Sequence, residues 1–250
     1  MRGVILAGGT GSRLMPLTEA INKHLLPIGE EPMVFHPVRK LVEAGIDEIL
    51  IVTGGNCPDG FLSLLKDGSH LGVKNLYYAY QQGAGGIAEA LKLAEKFVGD
   101  EPFAVILGDN IFTGSLKEHV KIYSDYCFSR AEDNRDFAQV FLSEVDDPRR
   151  FGCPEINDFG EILGIIEKPE NPPSNYAVIG IYFYPPSVFD VIPTLTRSDR
   201  GELEITDLNN HYLSKGKLLS GHMDGDWSDA GTWPSYKDAN RIIENDKPRN

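Results

Sequence analysis

Four short apolar runs, each followed by glycine, constrain the fold of this 250-residue chain more than any other feature. Residues 4–7 run into Gly8-Gly9, residues 48–53 into Gly54-Gly55, residues 75–80 lead to Gly85-Gly86, and residues 103–107 stop at Gly108-Asp109. Runs this short and apolar, punctuated by glycine, read as buried strands. Apolar residues at helical spacing between them predict helices over 33–44, around 61–66 and from 87 to 97. Strands alternating with helices imply an α/β fold: a Rossmann-like, mostly parallel sheet with helices on both faces. Ligands of such sheets bind beyond the carboxyl ends of the strands, so Gly8, Gly85-Gly86 and Gly108-Asp109 are expected along one edge.

The second half has a different texture. Residues 137–142, 161–167 and 176–184 read as strands, and helices are sparse until 203–213 and 233–244. A mixed-sheet extension walling one side of a site fits this pattern. Asn171-Pro172-Pro173-Ser174-Asn175 is a loop rather than a linker, and no repeat or low-complexity tract marks a boundary, so a single domain over 1–250 is expected.

The first glycine loop is the strongest chemical candidate. Gly8, Gly9, Thr10, Gly11 and Ser12 form a bare backbone that can approach an anion closely, with Arg13 and Lys23 as charge partners. It is not a P-loop, because Arg13-Leu14 stands where Lys-Ser/Thr is required. Nor is it a dinucleotide fingerprint, since Leu14 replaces the third glycine. A purely structural turn remains open at this point.

A net charge of −13 argues against a nucleic-acid surface, so any phosphate chemistry needs local cations or a metal. Cys57, Cys127 and Cys153 are scattered, which suggests neither a disulfide framework nor a zinc site. No apolar run approaches a membrane span and none reads as a leader, so the expectation is a cytoplasmic protein with no membrane partner.

Two carboxylates stand out. Asp109 follows a wholly apolar strand, and Asp229 ends the short Trp227-Ser228-Asp229 strand before Gly231 and a helix start. Either alone reads as a turn residue or helix cap. Glu167-Lys168 closes a strand and by default is a solvated pair. Gln81, after the third strand, and Gly86, at a helix start, could read the edge of a base together, although a turn glutamine is ordinarily just exposed.

The longer string Gly8-Gly9-Thr10-Gly11-Ser12-Arg13-Leu14, Pro16, Thr18, Lys23, Leu25-Leu26-Pro27 and Glu31-Pro32-Met33 resembles the signature of sugar-1-phosphate nucleotidyltransferases, and most of all the glucose-1-phosphate thymidylyltransferases. The likeness extends co-linearly to Thr232. It implies a nucleotide-diphospho-sugar transferase fold with a small sugar-binding β extension, residues 1–110 forming about the nucleotide-binding half and 111–250 the sugar-binding half. It implies Mg²⁺ held by Asp109 and Asp229, with Arg13, Lys23 and Asp109 as the catalytic set. The glycine loop with Gln81 and Gly86 would bind the nucleotide, and Gly152, Glu167, Lys168 and Val178 with Asp109 the sugar phosphate.

The implied substrates are dTTP and glucose 1-phosphate, giving dTDP-glucose and pyrophosphate. Departures bear on the choice of nucleotide and sugar: Ile179 stands where threonine is usual, His24 where glutamine is, Gly83-Ala84-Gly85 replaces a more polar segment, and Trp233-Pro234 follows Gly231-Thr232 where histidine is common. UTP or another nucleotide, another hexose phosphate, and a non-catalytic nucleotide-sugar sensor stay as alternatives. The chain resembles the short form without C-terminal helices and their allosteric site, and the resemblance leaves room for a homo-oligomer.

Overall fold

The computed structural model describes residues 1–129 and 136–246. Strand β1 (Arg2–Ala7) is followed by a loop of short 3₁₀ turns and a small ribbon, β2 (Pro27–Ile28) and β3 (Glu31–Pro32). Helix α1 (Phe35–Glu43), β4 (Glu48–Gly54), α2 (Pro58–Leu65), β5 (Asn75–Gln81), two short helices α3 (Ile87–Lys92) and α4 (Glu95–Val98), and β6 (Phe103–Leu107) repeat the strand–helix rhythm. Then come β7 (Ile111–Phe112), α5 (Lys117–Phe128), β8 (Ala138–Glu144), β9 (Gly152–Ile156), β10 (Ile162–Glu167) and β11 (Tyr176–Tyr184). The order closes with α6 (Val188–Val191), α7 (Ile205–Ser214), β12 (Leu218–His222), β13 (Trp227–Ser228) and α8 (Trp233–Asp246).

One nine-stranded sheet runs in the order β10-β9-β11-β6-β1-β4-β5, with β8 paired to β11 and β12 to β8. The β6-β1-β4-β5 portion is parallel, whereas β11 joins β6 antiparallel and turns the sheet into a mixed extension. β1 shows why the parallel strands are apolar throughout. Val4 and Leu6 face a core that includes Ala88 and Leu91 of α3 and Leu208 of α7, while Ile5 and Ala7 face Val38 and Leu41 of α1. A strand covered on both faces cannot alternate with polar residues. The α/β, mostly parallel arrangement expected from the sequence is the one observed.

Parallel register brings the ends of β1, β5 and β6 to the same edge, which sets Gly8, Gln81 and Gly108 side by side. The single helix expected over 87–97 is two. The backbone tightens between them, Leu93 N donating to Ala90 O and Ala94 N to Leu91 O, and Leu93 is left outside the core. Helix α5 and strands β9 and β12 go beyond the sequence expectation. Only Tyr123 and Cys127 of α5 are buried, one residue per turn, so its pattern is faint.

The outer strand β10 is closed by a side chain. Asn210 of α7 accepts the Ile165 N–H at 3.0 Å and donates Nδ2–H to Ile165 O at 2.8 Å. Among the described residues no helix is long and apolar enough to cross a membrane.

Candidate active site

The edge formed by the strand ends opens into a cleft of about 580 Å³. Its first wall is the glycine loop. Gly9 and Gly11 adopt φ of 93° and 65°, which a side chain would strain, and the Thr18 hydroxyl pins the turn by donating to Gly11 O at 2.7 Å. Leu14 is fully buried, so the 3₁₀ turn Ser12–Leu14 is anchored on one side and presents Arg13 to the cleft on the other. Gly8, Gly9 and Arg13 line the cavity, whereas Thr10, Gly11 and Ser12 shape the loop without lining it.

Lys23 reaches the cleft from the next turn. Asn22 Oδ1 accepts the His24 backbone N–H at 3.1 Å and lies 2.8 Å from His24 Nδ1, and Asn22 Nδ2 donates to Gly54 O at 3.0 Å. Burial, helped by the neighbouring Lys23 charge and opposed by Asp109, lowers the His24 imidazole to about 3. It is therefore neutral, with Nδ1–H donating to Asn22. The Lys23 ammonium pairs with Asp109 Oδ2 at 2.5 Å. Burial is the largest influence on the Asp109 carboxyl and would raise it, but Lys23 together with smaller contributions from His24 and Asn110 outweighs it and holds the group below the ordinary carboxylate range.

Asp229 is brought to the same place by a two-strand clasp. β13 pairs antiparallel with β7, Ser228 opposite Ile111, which carries Asp229 alongside Asp109-Asn110. Asn110 fixes the clasp: its Oδ1 accepts Trp227 Nε1–H at 2.8 Å and Gly180 N–H at 2.9 Å, and its Nδ2 donates to Asp109 Oδ1 at 3.1 Å. Asp229 Oδ2 is paired with Arg150 Nη2 at 2.7 Å. Arg13 passes close by, its Nη2 lying 3.3 Å from where a Cβ on Gly231 would sit.

Among the described residues no three His, Cys, Asp or Glu side chains cluster as a metal cage. Two carboxylates fit Mg²⁺ nonetheless, because that ion keeps waters and binds through one or two carboxylates plus phosphate oxygens. Each carboxylate is already neutralised by a cation, Lys23 or Arg150, the kind of partner a divalent ion would replace.

Beside Gly8, Gln81 is buried rather than exposed, and its Nε2 donates to Gly86 O at 3.3 Å. Gly86 has φ of 99°, and a Cβ there would lie 2.5 Å from Leu203 O, so only glycine fits. The segment before α7 clasps this loop, Leu203 N donating to Gly85 O at 2.8 Å. The remaining predicted residues form a row across three strands. Val178 of β11 pairs with Gly152 of β9, and Gly152 with Glu167 of β10. Lys168 follows with φ of 45°, a strained left-handed backbone held by its N–H on Phe151 O at 2.9 Å.

Several residues here were not foreseen. Thr206 donates to Glu167 Oε2 at 2.6 Å, and Arg200 meets Glu167 Oε1 at 3.2 Å, so residues at and just before the start of the helix expected over 203–213 also supply side chains to the cleft. Arg150 was hidden beside Arg149, with nothing local to tell them apart. Ile179 is fully buried in the core on the face opposite Val178, so it does not line the cleft. Trp233 lies outside the cavity, its Nε1 donating to Met15 O at 3.2 Å. The cleft is cationic in an acidic protein: Arg13, Lys23, Arg150, Lys168 and Arg200 line it, beside Asp109, Asp229, Glu167 and Glu202.

A parallel sheet ending in a glycine loop, a carboxylate pair and a polar row on a mixed extension defines a nucleotidyl-transferring enzyme, and the chain belongs to the Nucleotidyl transferase family, whose profile matches residues 2–246. A glucose-1-phosphate thymidylyltransferase from Xanthomonas campestris pv. campestris is 42% identical over 249 residues, 97% of this chain and 80% of that protein. The low-salt glycan biosynthesis nucleotidyltransferase Agl11 of Haloferax volcanii is 39% identical, covering 99% of this chain and 67% of its own length. Among solved structures, a Bacillus anthracis protein assigned to glucose-1-phosphate thymidylyl transfer, crystallised with a sucrose, superposes with a TM-score of 0.90 at 46% identity, covering 100% and 97% of the two chains. A UDP-glucose pyrophosphorylase bound to UDP-glucose reaches 0.83 at 26% identity, covering 98% and 99%.

Proposed function

We propose that this cleft joins dTTP to α-D-glucose 1-phosphate, releasing pyrophosphate and forming dTDP-glucose. The observation that carries the reading is the meeting of three parts in one cavity: the Gly8-Gly9 loop with Arg13 and Lys23, the Asp109/Asp229 pair, and the Val178-Gly152-Glu167 row. Relatives named as glucose-1-phosphate thymidylyltransferases support the choice of substrates.

The sugar phosphate is ionised at neutral pH, so its oxygen needs no general base to attack the α-phosphorus. Catalysis then rests on in-line positioning and charge neutralisation. Arg13 and the loop amides stabilise the departing pyrophosphate, and Lys23 and Lys168 fix the reacting phosphates. Gln81 and Gly86 hold the base, and Glu167, oriented by Thr206, accepts sugar hydroxyls while Gly152 leaves the space. Asp109 and Asp229 would hold Mg²⁺, which supplies further charge neutralisation at the α-phosphate. In this reading residues 1–110 and 111–250 are the nucleotide and sugar halves of one domain.

A second reading, the same reaction with UTP, is favoured by the likeness to a UDP-glucose pyrophosphorylase. The test is pyrophosphate release from glucose 1-phosphate with each of dTTP, UTP, CTP, ATP and GTP, with the product identified by mass. Release greatest with dTTP is expected. Release greatest with UTP would move the specificity, and none with any nucleotide over several sugar phosphates would end the enzymatic reading.

A further inference from the structure

Arg150 has no part in the mechanism above, yet its guanidinium occupies a carboxylate assigned to the metal. Nη2 lies 2.7 Å from Asp229 Oδ2, and among the described residues this is the hydrogen bond that Arg150 makes. The guanidinium rests on the Phe151 ring, 5.1 Å from its centroid, and Phe151 in turn meets Trp227 edge-on at 5.4 Å. The side chain is 34% exposed, against 15% for Asp229, so the donor is the more solvent-exposed member of the pair. One contact also leaves most of the guanidinium fork unspent, and that fork matches phosphate oxygens.

We propose that Arg150 is an exchange cation: it neutralises Asp229 while the site lacks metal, yields the carboxylate when Mg²⁺ arrives with nucleotide, and turns to the incoming phosphates. The inference rests on the reading of Asp109 and Asp229 as metal ligands. Its basis is the charge arrangement on both sides of the cleft. Lys23 occupies Asp109 as Arg150 occupies Asp229, so a divalent ion entering alone meets two carboxylates already neutralised. Entering with a triphosphate, the ion takes the carboxylates and each displaced cation finds an anionic partner. Metal and nucleotide binding are thereby coupled, and Arg150 acts as a positioning residue that links them.

Mn²⁺ is the probe, its free concentration read by electron paramagnetic resonance in the absence of nucleotide. Arg150→Gln is expected to bind Mn²⁺ about fivefold more tightly than wild type, the size of one partly exposed ion pair that no longer competes. Arg149→Gln removes the same charge one residue away, from an exposed side chain paired with Asp147, and is expected to leave the affinity unchanged. Arg150→Lys keeps a cation for Asp229 and is expected to stay near wild type. In the full reaction Arg150→Gln is expected to lower kcat about tenfold or more, because a phosphate partner is lost. Tighter metal with slower turnover is a combination that loss of mere structural support would not give. Mn²⁺ affinity of Arg150→Gln equal to or weaker than wild type overturns the proposal. Asp229→Asn separates the two levels: if it binds Mn²⁺ as wild type does, the metal assignment itself fails, whereas if it loses Mn²⁺ and Arg150→Gln gains none, the exchange alone fails.

Discussion

Trp227 Nε1 donates to Asn110 Oδ1 at 2.8 Å, and the same oxygen accepts the Gly180 N–H at 2.9 Å. One carboxamide therefore ties β13 and β11 to the turn that bears Asp109. Trp227→Phe keeps a ring against Phe151 but removes the donor. It is expected to lower stability by ~1 kcal/mol, the net worth of an ordinary hydrogen bond, and to raise the Mg²⁺ concentration needed for half-maximal rate. Urea denaturation and a magnesium titration check both, and a variant equal to wild type in each would detach this bond from the site.

Arg13 reaches from the glycine loop to the Asp229–Gly231 segment. If it stabilises charge that develops on the leaving pyrophosphate, Arg13→Ala is expected to lower kcat by ~10²-fold, the usual effect of losing one preorganised donor. Steady-state kinetics at saturating substrates decide it, and an unchanged kcat removes Arg13 from the mechanism.

Glu167, in the row formed with Gly152 and Val178, is held by Thr206, Lys168 and Arg200. Glu167→Gln is expected to raise KM for the sugar phosphate about tenfold or more, as when a charged hydrogen-bond acceptor is lost, with KM for the nucleotide little changed. Initial rates with each substrate varied in turn distinguish this from equal rises in both, which would place Glu167 outside the sugar pocket.

His24 carries a pH dependence whose sign follows from its burial. Its folded-state pKa is lowered from 6.5 to about 3, so between those values the unfolded chain takes up a proton that the folded chain refuses. Stability therefore falls as pH drops from 6.5 toward 3, at up to ~1.4 kcal/mol per pH unit for one proton. His36, partly buried, is shifted in the same direction and adds to the slope. Denaturation midpoints measured from neutral pH to about pH 5 are expected to decline less for His24→Gln than for wild type. Parallel declines would exclude His24 as a source.

The parallel half of the fold was legible because each central strand is covered on both faces, and its apolar runs end where glycines must follow. Val4, Ile5 and Leu6 are an example, with successive residues serving different cores. The glycine loop, Asp109, Asp229 and the Gly152-Val178-Glu167 row were readable as motifs. Arg150 and Thr206 were not, because their importance lies in partners 79 and 39 residues away. The break between α3 and α4 escaped for a similar reason: local spacing continues smoothly through Leu93, and only the tightened backbone ends the helix.

The Asn210 carboxamide on Ile165 has a consequence for the edge of the sheet. An outermost strand normally offers a ladder of open amides and carbonyls, a template on which another chain can polymerise. At Ile165 both groups are engaged by a side chain of the same molecule, so to an approaching strand β10 presents an edge that is, at its middle, already paired. β5, at the far end of the sheet, has Tyr77 and Tyr80 about half exposed. Strand addition at β10 is thus blocked at its middle, while β5 and β12 are the other outer strands of the sheet.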